Sequence, residues 1–215
     1  MCADHTLVVA AAFGVLAYLL GAIPNGLLIA RTKGVDIRRV GSGNIGATNV
    51  FRSVSKTLGI VTFVLDALKG WVPAWVFPIM VARVTAVEAP SWLGIVYAAL
   101  AIAGHTWPVY LNFKGGKGVA TSAGALIGLA PGAVGIGFLV WAVVFLVSRY
   151  VSVASIAAAV AVSAAAWWLY RCQGPVLPVF LTILGVVIVV RHKTNIQRLM
   201  TGAEHRFEFR KKPQA

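Results

Sequence analysis

The chain has 215 residues, of which 59% are hydrophobic and only 12% charged, with a net charge of +13 and a mean hydropathy of +0.85. A soluble domain carries about 25% charge, so this composition excludes a water-soluble globular protein and predicts a helical chain that crosses a bilayer several times. The positive excess is what the positive-inside rule and anionic headgroups ask for, and no aromatic platforms outside the apolar runs argue for nucleic-acid binding. Cys2 and Cys172 form no disulfide framework, and no basic residue precedes the first apolar run as it would in a signal peptide.

In chain order, the first span is expected over 7–30, with Pro24 near its inner end, followed by a polar segment, 31–56. A second span is expected over 57–81, a turn over 82–90, and a third span over 91–113 with His105 and Pro108 in its final part. The stretch 119–148 would make about 45 Å of continuous helix, too long for one untilted crossing. Ala130-Pro131-Gly132 breaks it into 119–129, crossing or re-entrant, and 132–148. Spans over 151–170 and 176–190 complete an all-α polytopic membrane bundle of about seven transmembrane helices, a single domain over 1–215.

Sixteen of the nineteen Lys and Arg residues then fall on one side, in 31–56, 114–118, Arg149 and 191–215, against Arg83 and Arg171 on the other and Lys69 within the second span. That bias puts the N-terminus outside and the C-terminus in the cytoplasm. It also brings three polar segments, 31–56, 104–118 and 191–208, to the cytoplasmic face.

Those segments hold the chemistry. In the first, Gly41, Gly43 and Gly46 allow successive backbone N–H groups to turn toward an anion. Ser42, Asn44, Thr48 and Asn49 add short polar groups, and Arg52 is a planar bidentate phosphate ligand. In the second, Lys114, Gly115, Gly116, Lys117 and Gly118 precede the helix starting near 119. Backbone N–H groups at a helix start with a lysine between them make an oxyanion site, although the GxxxxGK[ST] spacing of a Walker loop is absent. His105 is either a packed histidine or a substrate contact. In the third, His192 and Asn195 stand at i, i+3, on one face if helical, and histidine titrates near neutrality. Glu204 is expected to be a buried structural counter-ion, and Asp66 and Lys69, at i, i+3 inside the second span, a mutual ion pair. The residues suggest no metal site.

Three blocks, GSGNIGATNVFR, GHTWPVYLNFKGGKGVAT and HKTNIQRLMTGAEHRF, resemble in order and spacing the signature blocks of the bacterial acyl-phosphate:glycerol-3-phosphate acyltransferase family. The resemblance covers nearly the whole chain. It implies transfer of a fatty acyl group from acyl phosphate to the 1-hydroxyl of glycerol 3-phosphate, giving lysophosphatidic acid and phosphate, the first step of bacterial phospholipid synthesis. It also implies a multi-pass protein of the bacterial inner membrane, with a cytoplasmic active site and no cofactor. The expected partners are the two substrates and the bilayer, with no nucleic acid, and the chain is expected to work as a monomer. The resemblance makes Ser42 and Arg52 important for activity, assigns the glycines around Lys117 to the acyl-phosphate site, gives His192 and Asn195 a catalytic part, and gives Glu204 a structural one. Consistently, the His-x4-Asp pair of other glycerolipid acyltransferases is absent: five residues beyond His5, His105, His192 and His205 stand Ala10, Tyr110, Gln197 and Arg210.

On this reading Arg52, Lys117 and the loop N–H groups offset the charge of two phosphate substrates. Either His192 or a substrate phosphate acts as base. Ser42 is a conceivable nucleophile, though the activated donor makes a covalent intermediate unnecessary. The alternative class is a transporter of phosphorylated small solutes, which would use Asp66 and Lys69 as groups along a path.

Overall fold

The computed structural model describes residues 2–208, with side chains from residue 4. Arg210, Lys211 and Lys212, counted above for orientation, lie outside the described residues. Every regular element among the described residues is helical, and the contacts divide the chain into two compact units, residues 1–131 and 132–215.

In the first unit, α1 (Cys2–Ala22) ends before Pro24, and a separate short helix, α2 (Asn25–Arg31), carries the chain onward. The continuous span expected over 7–30 is therefore broken: proline has no N–H to donate, and its ring disfavours helical geometry in the residue before it. The polar segment folds around a 3₁₀ turn (Ile37–Arg39) and α3 (Ala47–Ser53). The second span is one helical stretch in three parts. These are α4 (Lys56–Trp71), a π turn (Val72–Val76) containing Pro73, and α5 (Phe77–Thr85).

The next helix, α6 (Leu93–Thr106), stops at Trp107 ahead of Pro108, so residues 107–113 are not the helix expected there; a 3₁₀ turn (Val109–Leu111) follows. The first unit closes with α7 (Val119–Leu129). α1 packs on α6 and α4 on α7 through small residues, as membrane helices do where no water drives association. A Cβ on Gly21 would strike the Ala101 backbone, one on Gly104 the Tyr18 carbonyl, and one on Gly124 the Ala67 backbone. Tyr18 and Tyr97 tie α1 to α6 by donating hydroxyl hydrogen bonds to the Trp107 and Ala10 carbonyls, at 2.8 and 2.9 Å.

In the second unit, α8 (Pro131–Ser148), α9 (Val151–Tyr170) and α10 (Val176–Arg191) are apolar helices, and α11 (Lys193–Met200) turns away from α10 by 50°. α9 and α10 pack together; Gly185 faces Ser163, whose hydroxyl donates to the Ala159 carbonyl at 2.9 Å.

Each of the seven apolar segments expected from the sequence is built on helix, with the first broken at Pro24 and the third ending at Thr106. Five stretches, Asp4–Ala22, Lys56–Thr85, Leu93–Leu111, Pro131–Ser148 and Val151–Gln173, are individually long and apolar enough to cross a membrane, and α10 with α11 qualifies as a bent pair. α7, with 11 residues, extends about 16 Å, roughly half the hydrocarbon core.

Candidate active site

The first motif is a loop organised by one side chain. Asn49 is 4% exposed. Its Nδ2 donates to the carbonyls of Ile37, Val40 and Asn44 at 3.1, 3.1 and 2.9 Å. Its Oδ1 accepts from the Ser42 backbone N–H at 3.0 Å and the Ser53 hydroxyl at 3.2 Å. An amide has two N–H hydrogens and one oxygen, so Asn49 is fully occupied in holding the loop. The structure gives it that part rather than the one of phosphate donor expected from its type.

Asn44 closes a smaller turn, its Oδ1 accepting from the Gly46 N–H at 2.8 Å, while the Ser42 hydroxyl oxygen lies 3.4 Å from the Asn44 N–H. Gly41 and Gly43 have φ of +59° and +70°, the left-handed region that strains any residue with a Cβ. Thr48 and Arg52, both exposed, stand at i, i+4 on α3 and share a face. Upstream, Asp36 caps the 3₁₀ turn, and hydrogen bonds from the Arg38 guanidinium hold its carboxyl well below the usual carboxylate range.

The second motif lies against the end of α6. The Gly115 N–H donates to the Thr106 carbonyl at 3.2 Å and the Gly116 N–H to the His105 carbonyl at 3.0 Å. His105, 5% exposed, has its Nε2 edge against Gly116, where a Cβ would collide with the ring. Gly118, at φ +81°, is the N-cap of α7. Lys114 is exposed and Lys117 half-buried on either side of the two glycines. Two cations and a helix N-terminus thus flank one tight loop, an arrangement suited to an oxyanion.

Beneath these loops, Asp66 and Lys69 form the expected ion pair at 2.9 Å, with side chains 3% and 4% exposed. Two partners were not foreseen: Asn25 Nδ2 donates to Asp66 Oδ1 at 3.0 Å, and Lys69 Nζ donates to the Ile23 carbonyl at 2.6 Å. His105 Nδ1 lies 3.9 Å from Asp66 Oδ1. A polar residue directly after Pro24 inside an apolar run was the available signal for Asn25.

The third motif belongs to the second unit. His192 is the joint between α10 and α11, with φ −93° and ψ 8°, and not a residue of a continuous helix. It and Asn195 are buried at 3% and 6% exposure. Its Nδ1 is 2.8 Å from the Ile188 carbonyl oxygen. A carbonyl only accepts, so the proton sits on Nδ1 and a neutral ring carries its lone pair on Nε2.

Glu204 accepts from Asn195 Nδ2 at 2.7 Å and the Ser152 hydroxyl at 2.8 Å, and pairs with Arg198 Nε at 3.2 Å. The segment that delivers it turns at Gly202, φ +71°, and docks by the Phe207 N–H on the Arg149 carbonyl at 2.8 Å and by the Phe207 ring on Phe145. Ser152 was not singled out from sequence; its only mark is a hydroxyl in the first turn of an apolar helix. Among the described residues no three His, Cys, Asp or Glu side chains gather as metal ligands would.

The profile of the glycerol-3-phosphate acyltransferase family matches residues 11–202. The glycerol-3-phosphate acyltransferase of Aquifex aeolicus is 45% identical over 194 residues, covering 90% of this chain and 96% of its own. That of Geobacter sulfurreducens is 42% identical, covering 90% and 95%. A crystal structure of PlsY, an integral membrane glycerol 3-phosphate acyltransferase, in its glycerol 3-phosphate form superposes with a TM-score of 0.79 at 42% identity, over 93% of this chain and 96% of that one. Its lysophosphatidic acid form gives 0.77 at 41% identity, over 93% and 95%. With the three motifs in order and the matches running nearly end to end, the chain belongs to the glycerol-3-phosphate acyltransferase family.

Proposed function

We propose that this protein transfers a fatty acyl group from an acyl phosphate to the 1-hydroxyl of glycerol 3-phosphate, releasing lysophosphatidic acid and inorganic phosphate, at the cytoplasmic face of a bacterial inner membrane. Acylation of glycerol 3-phosphate rests on the family. Acyl phosphate as donor rests on one observation above others: two separate loops in the first unit, 41–52 and 114–118, each combine left-handed glycine turns with fixed cations, Arg52 in one and Lys114 and Lys117 in the other. Two phosphate-bearing substrates call for two such places. The missing His-x4-Asp pair points the same way. The solved relative's two forms correspond to the acceptor and the product of this reaction.

In the proposed reaction the 1-hydroxyl oxygen attacks the acyl carbonyl carbon, the bond from that carbon to the phosphate oxygen breaks, and phosphate leaves. The hydroxyl proton passes to His192 Nε2, the ring position that the Ile188 hydrogen bond leaves with the lone pair. Arg52 and Lys117 hold phosphate oxygens, with the Ser42 and Thr48 hydroxyls as further donors. Asn195, held by Glu204, orients the acceptor. No covalent intermediate is required, because the donor is already activated.

A transport path through Asp66 and Lys69 is disfavoured by their geometry, since each is bonded to the other and to Asn25 or the Ile23 carbonyl. The deciding experiment is phosphate release by purified protein given acyl phosphate with and without glycerol 3-phosphate. Release that requires glycerol 3-phosphate, needs no CoA and is lost in Arg52→Ala is expected. Equal release without the acceptor would mean hydrolysis and overturn the reading.

A further inference from the structure

Asp66 and Lys69 belong to no motif, and the chemistry above does not use them, yet they form a buried ion pair inside an apolar span. Replacing such a pair by well-packed apolar residues generally costs no stability, so stability alone does not account for it. What distinguishes this pair is its neighbours.

On one side, Asp66 Oδ1 accepts from Asn25 at 3.0 Å. The next residue, Gly26, packs so closely under the first motif that a Cβ would collide with the Ile45 carbonyl oxygen. On the other side, the same Oδ1 lies 3.9 Å from His105 Nδ1, and the opposite edge of that imidazole supports Gly116. Lys69, bonded to Asp66 at 2.9 Å and to the Ile23 carbonyl at 2.6 Å, keeps the carboxylate from rotating away from either neighbour. At 3.9 Å His105 Nδ1 and the carboxylate are beyond hydrogen-bond distance, so this second link is one of packing, looser than the hydrogen bond to Asn25. One oxygen atom thus stands between two chains of contact. One runs Asp66–Asn25–Gly26–Ile45 into loop 41–49, the other Asp66–His105–Gly116 into loop 114–118.

We propose that Asp66 is a positioning residue that sets the separation of the two phosphate-type loops, through Asn25 and Gly26 on one side and His105 on the other. The proposal rests on the acyltransferase reading for what the loops hold. Its consequence is alignment: two substrates each bound well but offset by about 1 Å lose on the order of 100-fold in rate.

The test uses the full-length protein in lipid with Cys2→Ser and Cys172→Ser, spin-labelled at Thr48→Cys and Lys114→Cys, so that the loop separation is read without reference to activity. Two perturbations are added: Asn25→Ala, which cuts one tether and leaves the ion pair, and Asp66→Leu with Lys69→Met, which replaces the pair by apolar groups. The expected result is a single narrow distance in the parent and a broadened or shifted one in both perturbed proteins. In unlabelled proteins kcat is expected to fall at least about 10-fold, with KM for each substrate changed less than about threefold. Unchanged distances with near-parental kcat would overturn the proposal. Should the double variant not fold, Asn25→Ala decides alone. With activity measured on protein that lacks the labelling substitutions, no lysophosphatidic acid together with distances that respond as expected would sink the acyltransferase reading and leave the positioning role standing; activity together with unresponsive distances would do the reverse.

Discussion

Asn195 donates its side-chain N–H to Glu204 Oε1 at 2.7 Å. A carboxylate can only accept, so the amide's nitrogen must face Glu204 and its oxygen must face away. The same carboxylate also serves Ser152 and Arg198. Glu204→Ala would leave all three without their acceptor, and a loss of about 3–5 kcal/mol is expected for breaking such a buried charged network. Glu204→Gln, which keeps one acceptor oxygen, is expected to lose less, and Ser152→Ala about 1 kcal/mol. Thermal unfolding in detergent checks this order; an unchanged melting temperature in Glu204→Ala would contradict it.

Asn49 holds five hydrogen bonds across the first motif. Asn49→Ala is expected to cost about 3 kcal/mol or more, since buried groups left unpaired cost about 1–3 kcal/mol each. Its activity should fall along with its stability. Thr48→Ala, an exposed change on the adjacent residue, is expected to affect kcat/KM while the melting temperature stays put. Equal melting temperatures for the two variants would mean that the loop does not depend on the Asn49 amide.

At Gly116 any side chain meets the His105 ring. Gly116→Ala is expected to lower kcat/KM on the order of 100-fold, because the loop must shift to admit one methyl group. If the ring is the obstacle, adding His105→Ser should restore part of the loss, giving a non-additive double-mutant cycle. Additive effects would place the damage elsewhere.

His192 as base predicts a kcat/KM profile that rises with pH through the histidine range, because only the neutral ring accepts the proton. A substrate phosphate titrates near 6 and would give a similar limb. His192→Ala separates the two: loss of about 100-fold or more together with the limb is expected. A variant that keeps most of its rate and the same limb would transfer the role to the substrate.

Packing of α4 on α7 depends on bare backbone at Gly124. Gly124→Val is expected to destabilise by about 1–3 kcal/mol through overpacking, seen as a lower melting temperature in detergent. Gly174, around which a Cβ would meet open space but whose φ is +104°, offers a contrast, since any loss there comes from backbone strain alone.

The seven apolar segments, their breaks at Pro131 and near Arg149, and the three motif blocks were all legible in the sequence. Chain-local features decide them: hydrophobic length against bilayer thickness, and proline's missing donor. The pairing of Asp66 with Lys69 was legible for the same reason, since i, i+3 neighbours on a helix meet whatever surrounds them. What Asn49, Asn25 and Ser152 do was not. Each is a short polar residue whose part depends on which carbonyl, carboxylate or amide a distant stretch of chain delivers to it, and 41 residues separate Asn25 from Asp66. The break at Pro24 was half legible: proline marked the place, but the close packing of Gly26 under Ile45 that goes with α2 exists only in the folded chain. His192 stands at a joint rather than within a helix for a similar reason. The sequence could place it i, i+3 from Asn195, but the 50° bend between α10 and α11 accompanies the docking of Glu204 and Phe207 onto Asn195, Ser152 and Arg149, contacts that exist only once the chain has folded.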